Sequence, residues 1–391
     1  MPNRYALGQS IGLQGLAAAL VALVCQHVPV DVCAQSEAER AFDRGVQEEA
    51  QGYQWLRWST EHIGHRLTGS PQGAKAQDLA DSLFRASGLP LVERFPFTAQ
   101  AWSRGTIQLT VSDPQGMQHI SAVALANTPL DALVEAPIVD ARNGLPADLD
   151  SLGDRVKGAA LLINLGLVGA PEGTKNLHRS EKAALALKHG AALLLFVNQV
   201  EGHILLTGTA SIDGNLIAAP AACIATEDGI ALRTRLAKGE TLSARLHMDN
   251  RSSVVSAHNV IAEIPGSRLP DEVILIGGHL DCWDLATGAT DNGLGSFSIL
   301  DLARAMQASP MRPERTVRFV LFMGEEQGLL GSRALVKHYQ EKGLLDKVRC
   351  MINLDMSGNP QGFGVAGPSG WAEVIKDASA RIHLLDSAAF E

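Results

Sequence analysis

Short apolar runs alternate with amphipathic segments along the chain from residue 259 onward. Residues 273–276 have the composition of a buried strand, and residues 317–322 and 348–354 are predicted as further strands. Residues 294–306, 331–342 and 371–385 are predicted as helices. Strands that alternate with helices of this length are typical of a parallel sheet. The pattern therefore predicts an α/β fold with a mostly parallel central sheet and helices on both faces.

The chain before residue 130 shows a different order of elements. Residues 36–66 are predicted to form a helix that ends near residues 62–65, and residues 71–88 form a second, amphipathic helix with Leu79, Leu83 and Phe84 on its apolar face. Residues 91–126 alternate apolar and polar positions and predict short strands. We take residues 35–130 as the first part of the domain that residues 251–391 complete.

The character of the sequence changes around Pro129. Residues 136–248 contain short apolar runs broken by Gly, Asn, Asp and Pro, with a predicted helix at 181–189. This pattern predicts a separate β-rich module, taken as residues 131–250, inserted into the first domain. Its histidines His178, His189 and His203 are scattered, so we interpret them as solvated or core residues and not as metal ligands.

The first residues are typical of an export signal. Arg4 is the one charge before an apolar run at residues 11–25, and Val32-Cys33-Ala34 provides a small-residue cleavage context. A membrane anchor is the alternative, but the run is shorter than the ~20 residues that span a bilayer. We expect residues 1–34 to be a removable signal peptide. The mature protein is then secreted or periplasmic, or lumenal in a eukaryote, without stable membrane insertion.

Composition excludes some classes of function. The 391 residues are 46% hydrophobic and 19% charged with a formal net charge of −9, which fits a soluble protein and offers no basic surface for nucleic acid. Cleavage after Ala34 leaves Cys223, Cys282 and Cys350, an odd number at wide spacing. We expect these to be buried apolar residues and not a disulfide framework.

Candidate metal ligands follow the predicted strands of the sheet. His279 comes directly after the first strand, Glu325 and Glu326 follow the second, Asp355 ends the third, and Asp291 precedes the helix at residue 294. In open α/β sheets, ligands bind beyond the carboxyl ends of the strands. Imidazole and carboxylate together suit zinc or a similar first-row metal, and a bridging carboxylate holds two ions roughly 3.5–4 Å apart.

Roles for these side chains follow from what hydrolysis needs. Asp281 is expected to accept the second ring N–H of His279 and to fix its tautomer. One glutamate of the Glu325-Glu326 pair should bind metal, and the other should take a proton from water and pass it to the leaving amine. Each signal is weak alone, because a lone His, a Glu pair and a strand-end Asp all have structural explanations. Their occurrence in order at successive strand ends predicts a metal site.

The candidate site residues lie in four segments: Gly278-His279-Leu280-Asp281-Cys282-Trp283-Asp284, Gly288-Ala289-Thr290-Asp291, Glu325-Glu326-Gln327-Gly328 and the Asp355 segment. These segments resemble those of metallopeptidase family 28, the co-catalytic zinc aminopeptidases. The run around Trp283 looks most like the carboxypeptidase Q branch. The resemblance covers nearly the whole mature chain, including Leu67-Thr68-Gly69-Ser70. It implies that the 131–250 insert is a protease-associated domain.

The resemblance also implies residue roles. His279, Asp291 and Asp355 correspond to the ligands of one zinc, Asp291 bridges to a second zinc bound by Glu326, and Glu325 corresponds to the general base. The family completes the second zinc with a downstream His. His383 lies in a predicted helix without the glycine- and aspartate-rich context of that ligand, so we expect it not to serve. The expectation is two zinc ions in a full-length site, of which one lacks its last ligand in a C-terminally truncated chain.

The sequence thus predicts an exported zinc exopeptidase that acts on dipeptides or short peptides. The alternative is a catalytically inactive relative that uses the same fold for binding, or a truncated fragment. A peptide is the expected partner, nucleic acid is not, and a homodimer is compatible with the sequence.

Overall fold

The computed structural model describes residues 36–358, 364–367 and 370–380. The expected signal peptide and His383 lie outside these residues. The helices are α1 (Glu37–Gln47), α2 (Gly52–His62), α3 (Pro71–Ala86), α4 (Pro146–Leu152), α5 (Arg179–Lys188), α6 (Thr226–Ala237), α7 (Leu294–Ala308), α8 (Leu330–Lys342) and α9 (Trp371–Ala380). A π-helical turn, Ala289–Gly293, precedes α7.

The strands are β1 (Leu91–Asp113), β2 (Gly116–Ile120), β3 (Ala122–Ala124), β4 (Asp131–Asp140), β5 (Ala160–Asn164), β6 (Leu193–Val197), β7 (Ala221–Ile224), β8 (Ser243–Ile264), β9 (Leu269–His279), β10 (Arg315–Phe322) and β11 (Val348–Asn353). The strands predicted after residue 259 are present as β9, β10 and β11. The strands expected within residues 91–126 are instead one long strand, β1, followed by the short strands β2 and β3.

The single helix expected over residues 36–66 is wrong, because the structure has two helices, α1 and α2. Ser36 caps α1 with a capping box that includes Glu39. Between the helices the chain turns, and the Gln51 amide donates to Asp301 of α7 at 3.0 Å. A Cβ on Gly52 would lie 2.9 Å from the Phe297 carbonyl oxygen, so α2 approaches α7 closely. The turn lets both helices pack against α7.

The part of the sheet that bears the candidate ligands has the strand order β11-β9-β10-β8. β9 pairs in parallel with both β10 and β11, whereas β8 pairs antiparallel with β10. One face is covered by α1, α2, α3 and α7, and Leu335 and Tyr339 of α8 pack on the other. The predicted α/β class with helices on both faces is confirmed, with an antiparallel strand beside the parallel centre.

The inserted segment differs from the β-rich module that the sequence predicted. β4, β5, β6 and β7 pair in parallel; along the chain α4 and α5 lie between successive strands of this set, and α6 follows β7. The segment is therefore itself α/β. The helix predicted at 181–189 is present as α5, whereas α4 and α6 did not show in the sequence pattern. The long antiparallel pair of β1 and β8 links both parts, because β8 pairs with β10 near one end and with β4 near the other.

Separate apolar clusters lie in the two parts of the fold. One contains Phe84, Phe297 and Phe319, and another contains Leu161, Leu194 and Phe196 of the insert. The exact domain boundaries stay a prediction.

In the described part of the chain, every helix is too short or too polar to cross a bilayer. Cys223 and Cys282 are buried, Cys350 is half-buried and all three are free thiols, as expected.

Candidate metal centre

The predicted ligands come together at the carboxyl edge of the parallel strands. His279 is the last residue of β9 and pairs with Phe322, the last residue of β10. Glu325 and Glu326 follow β10 after a short turn, and Asp355 follows β11. Asp291 lies in the π-helical turn before α7. Parallel pairing aligns the strand ends, which is why side chains far apart in sequence meet here.

The imidazole of His279 is the centre of this cluster. Its Nε2 lies 3.1 Å from Asp291 Oδ1, 3.4 Å from Asp355 Oδ1 and 4.0 Å from Glu325 Oε2. One ligand atom each from His279, Asp291 and Glu326 lie within 4.8 Å of one another. The His279 side chain is 3% exposed, whereas those of Asp291 and Asp355 are 49% and 40% exposed. The cluster therefore opens to solvent on its acidic side.

The ring of His279 is held by a different group from the one expected. Its Nδ1 lies 3.0 Å from the main-chain carbonyl oxygen of Asp281, whereas the Asp281 carboxylate Oδ1 is 3.8 Å away. That carboxylate is fully buried, and it accepts hydrogen bonds from the Thr68 hydroxyl and from the Glu325 amide, each at 3.2 Å. The predicted carboxylate contact with His279 is thus replaced by a carbonyl contact. Asp281 instead ties the start of the Glu325-Glu326 segment to β9.

Asn292 joins the other segments of the site. Its side chain is fully buried, and its Nδ2 donates to the carbonyl oxygens of His279 at 3.3 Å and Leu354 at 2.8 Å. Its Oδ1 accepts from the amides of Gly295 and Met356. The side chain next to Asp291 therefore fixes the backbone beside His279 and beside Asp355. A buried amide with all its bonds satisfied favours one rigid arrangement.

Electrostatics in the cluster reflect acidic groups packed around one imidazole. Burial opposes protonation of His279, but hydrogen bonds to Asp291 and Asp355 prevail and raise its pKa to about 11. Burial raises the pKa of Glu325 to about 7 and that of Glu326 to about 9, and neighbouring carboxylates add to both shifts. The hydrogen bond to His279 lowers the pKa of Asp355. Such a cluster is stabilised by a positive charge among its oxygens.

The chemistry of the donors fits a divalent first-row metal. An imidazole nitrogen and carboxylate oxygens are the ligands of many catalytic zinc sites. Among the described residues, His279, Asp291 and Glu326 place their ligand atoms close enough together to hold one metal ion. Asp355 Oδ1 also lies close to the Nε2 of His279. The structure thus brings together all four residues predicted as ligands and places Glu325 beside them.

Arg66 is a supporting residue that the sequence did not reveal. It is fully buried, and its guanidinium donates to the carbonyl oxygens of Leu280 at 2.6 Å, Thr287 at 2.8 Å and Gly288 at 2.9 Å. Its own amide donates to Cys282 Sγ at 3.1 Å. These contacts hold the segment that connects His279 to Asp291. The one signal in the sequence is its position directly before the Leu67-Thr68-Gly69-Ser70 segment.

Replacement of Arg66 by methionine should lower the free energy of unfolding by about 3 kcal/mol or more, because each buried carbonyl left without a donor costs about 1–3 kcal/mol. Urea unfolding monitored by circular dichroism measures this. Arg57→Met is the control, since Arg57 pairs with Glu61 on an exposed helix face, where solvent screens the pair, and should leave the unfolding curve nearly unchanged. Equal stability of the two variants would show that Arg66 does not support the site.

The histidines of the insert lie at a helix end or on the surface, as expected from the sequence for residues that do not bind metal. His178 caps the start of α5 and contacts the Ser180 hydroxyl at 2.7 Å. His189 lies at the end of the same helix. His203 is an exposed side chain 3.9 Å from Glu227. None of them belongs to the metal-capable group found among the described residues.

Alanine at His178, His189 or His203 should leave the amount of bound zinc unchanged, because these imidazoles are not part of the cluster around His279. Elemental analysis of each variant after dialysis measures the zinc content. Loss of one zinc equivalent in any of the three would place a metal ligand in the insert.

Comparison with known proteins agrees with this arrangement. Residues 259–388 match the model of peptidase family M28. The chain is 28% identical to carboxypeptidase Q of Bos taurus over 72% of this chain and 59% of that protein. It is 30% identical to a probable leucine aminopeptidase 2 of Aspergillus oryzae over 70% of this chain and 54% of that protein. The chain thus spans somewhat over half the length of these relatives.

Solved structures show the same fold. A peptidase M28 precursor from Shewanella amazonensis superimposes with a TM-score of 0.72 at 25% identity, over 88% of this chain and 79% of that one. An aminopeptidase from Aneurinibacillus sp. strain AM-1 gives a TM-score of 0.61 at 25% identity, over 82% and 72%. The match to peptidase family M28 spans the part of the chain that bears His279, Asp291, Glu326 and Asp355, and the fold as a whole is similar to that of the M28 peptidase precursor.

Proposed function

We propose that this chain is a zinc-dependent exopeptidase that removes N-terminal residues from dipeptides or short peptides. The observation that carries the proposal is the convergence of Asp291, Asp355 and Glu325 on the Nε2 of His279 at the open edge of the sheet. The similarity to carboxypeptidase Q and to a leucine aminopeptidase supports a peptide as substrate. Export of the mature protein stays a prediction, since residues 1–34 lie outside the described part.

The ligands divide into two sets that share one carboxylate. His279, Asp291 and Asp355 would hold one zinc, because Nε2 of the imidazole faces both aspartates. Asp291 and Glu326 would contribute to a second ion. When bound, zinc supplies positive charge that polarises a carbonyl group and makes water more acidic. The first set combines imidazole with carboxylates and should bind zinc more tightly than the carboxylates of the second set.

Glu325 is the proposed general base. Its carboxylate lies at the edge of the cluster, 4.0 Å from His279 Nε2, and is one-third exposed, so a water molecule can reach it. The group would take a proton from the water that attacks the peptide carbonyl and deliver that proton to the leaving amine nitrogen. Burial raises the pKa of Glu325 to about 7, which suits a group that must both accept and donate a proton near neutrality.

Asp281 would act through its neighbours. Its carbonyl oxygen contacts the His279 ring, and its buried carboxylate accepts the Glu325 amide. The residue therefore positions both a ligand and the base. Gln327 adds to this support, because its fully buried side chain accepts from the Trp102 amide at 2.7 Å and donates to the Thr68 carbonyl at 2.9 Å.

Hydrolysis of an unblocked dipeptide tests the proposal. The protein should cleave the dipeptide after incubation with zinc, lose the activity with a chelator and regain it when zinc is restored. A matched dipeptide with an acetylated N-terminus should be a poor substrate if the enzyme removes N-terminal residues. Zinc binding without cleavage of any peptide would instead favour the inactive binding protein that the sequence left as the alternative.

A further inference from the structure

The two long strands that join the insert to the rest of the fold are irregular at one point. β8 pairs with β4 near its start and with β10 near its end, and β1 runs beside nearly its whole length. Between these two parts the register shifts by one residue, so Arg104 and Gly105 of β1 together oppose Asn250 of β8. A Cβ on Gly105 would lie 1.5 Å from the Asp249 carbonyl oxygen, so the strands can meet this closely only at a glycine. Bulges of this kind redirect side chains and are common next to active sites.

Arg104, at this bulge, contacts two other parts of the chain. Its side chain is 8% exposed and forms two parallel hydrogen bonds with Asp284, from Nε at 3.1 Å and from Nη2 at 3.0 Å. Nη2 also donates to the Thr207 hydroxyl at 2.5 Å. Asp284 belongs to the segment between His279 and Asp291, and Thr207 begins a loop of the insert. One side chain therefore joins the metal-ligand segment, the insert and the strand pair that connects them.

The insert loop that Arg104 contacts, residues 207–214, packs against the segment that carries the proposed base. A Cβ on Gly214 would lie 2.9 Å from the carbonyl oxygen of Gln327, so the two backbones are in direct contact. Gln327 directly follows the Glu325-Glu326 pair. The position of this loop therefore determines how closely the insert approaches the catalytic edge.

The surroundings of Arg104 are unfavourable for a residue that only stabilises the fold. Its remaining nitrogen, Nη1, is buried and has no hydrogen-bond partner among the described residues, which is destabilising. Removal of both charges from water also offsets much of the attraction between Arg104 and Asp284. Stability alone therefore does not account for the pair, whereas the geometry that it fixes does.

We propose that Arg104 is a positioning residue that fixes the insert at the metal centre, because it holds the Asp284 segment and the 207–214 loop in one arrangement. The inference rests on the proposed peptidase function and adds a residue that acts on substrate binding through its neighbours. Without the Arg104 guanidinium, the loop adopts several positions, and only a fraction of the protein is then able to bind substrate. The apparent affinity falls in proportion to that fraction, whereas the reaction of a bound peptide is unchanged.

Hydrogen–deuterium exchange on the zinc-loaded protein tests this placement directly. In Arg104→Met, the amides of residues 207–214 and 280–288 should exchange about tenfold or more faster than in the wild type, because hydrogen bonds from a charged group to both segments are lost. Distant elements such as α1 should exchange at the wild-type rate. Arg233→Met is the matched control, since it breaks an ion pair with Asp140 inside the insert and should leave both segments unchanged.

Two further variants separate the contacts of Arg104. Thr207→Val removes only the contact with the insert and should speed exchange in residues 207–214 but not in residues 280–288. Arg104→Lys keeps the charge but cannot bind the Asp284 carboxylate at two points, so its exchange should lie between those of the wild type and Arg104→Met. Wild-type exchange of the loop in Arg104→Met, or in Thr207→Val where the first variant does not fold, would contradict the inference. A uniform rise along the whole chain would also contradict it.

Kinetics with an unblocked dipeptide distinguish positioning from a purely structural role. Arg104→Met should raise KM about tenfold and leave kcat within about threefold, because the proposed ligands and the proposed base are unchanged. A loss of folded protein would instead lower kcat at an unchanged KM, and that result would count against positioning. Because exchange is measured without turnover, absence of peptide hydrolysis in the wild type would count against the proposed function alone.

Discussion

Glu325→Gln is expected to lower the turnover number for dipeptide hydrolysis by about 10²–10⁴-fold, the usual contribution of general-base catalysis. The amide is similar in size to the carboxylate but cannot accept a proton from water. Zinc content should stay at the wild-type level, because the proposed ligands His279, Asp291, Glu326 and Asp355 are unchanged. Steady-state kinetics and elemental analysis on the same preparation measure both quantities.

A matched substitution controls for the loss of one negative charge. Glu341→Gln lies on an exposed face of α8, where Glu341 is 61% exposed, and it should leave kinetics and zinc content unchanged. A fall of less than tenfold in Glu325→Gln, at unaltered zinc content, would show that another group acts as the base.

His279→Ala is expected to weaken zinc binding by more than about 100-fold and to abolish peptide hydrolysis. Even residues that only contact a metal ligand change metal affinity by about 10- to 100-fold, and this variant removes the one imidazole of the cluster. The buried position of His279 at the end of β9 leaves no neighbouring side chain on that strand to replace it. Zinc affinity is measured by competition with a chromogenic chelator.

The insert histidine variant His203→Ala is the matched control for the loss of an imidazole. It should retain the zinc affinity and the peptide hydrolysis of the wild type. If His279→Ala bound zinc as tightly as the control, the metal centre would lie elsewhere in the chain.

The sequence predicted the metal-bearing edge of the fold well, because its signals are local. Each of His279, Glu325 and Asp355 follows a short, largely apolar run, and such runs between helices predict parallel strands whose ends align. The same reasoning gave α7 and α8 within a few residues of their observed bounds. The assignment of individual roles to these residues stays a prediction.

Contacts between segments that are distant in the sequence could not be predicted, because the patterns in the sequence are local. Nothing around Arg66 indicates that its guanidinium binds carbonyl groups more than 200 residues away. The Asp281 carboxylate was expected at His279, but the chain geometry after β9 brings the carbonyl oxygen there and directs the carboxylate to Thr68 and Glu325. The insert was expected to be β-rich because only α5 among its helices was recognised in the sequence, and α4 and α6 were not.

The metal centre is tested most directly by anomalous diffraction at the zinc edge from crystals of the zinc-loaded protein. The predicted result is a strong peak about 2.0–2.2 Å from His279 Nε2 and from carboxylate oxygens of Asp291 and Asp355. A second, weaker peak is expected between Asp291 and Glu326. Ordered zinc at the insert histidines, or no peak within bonding distance of His279, would contradict the proposed centre.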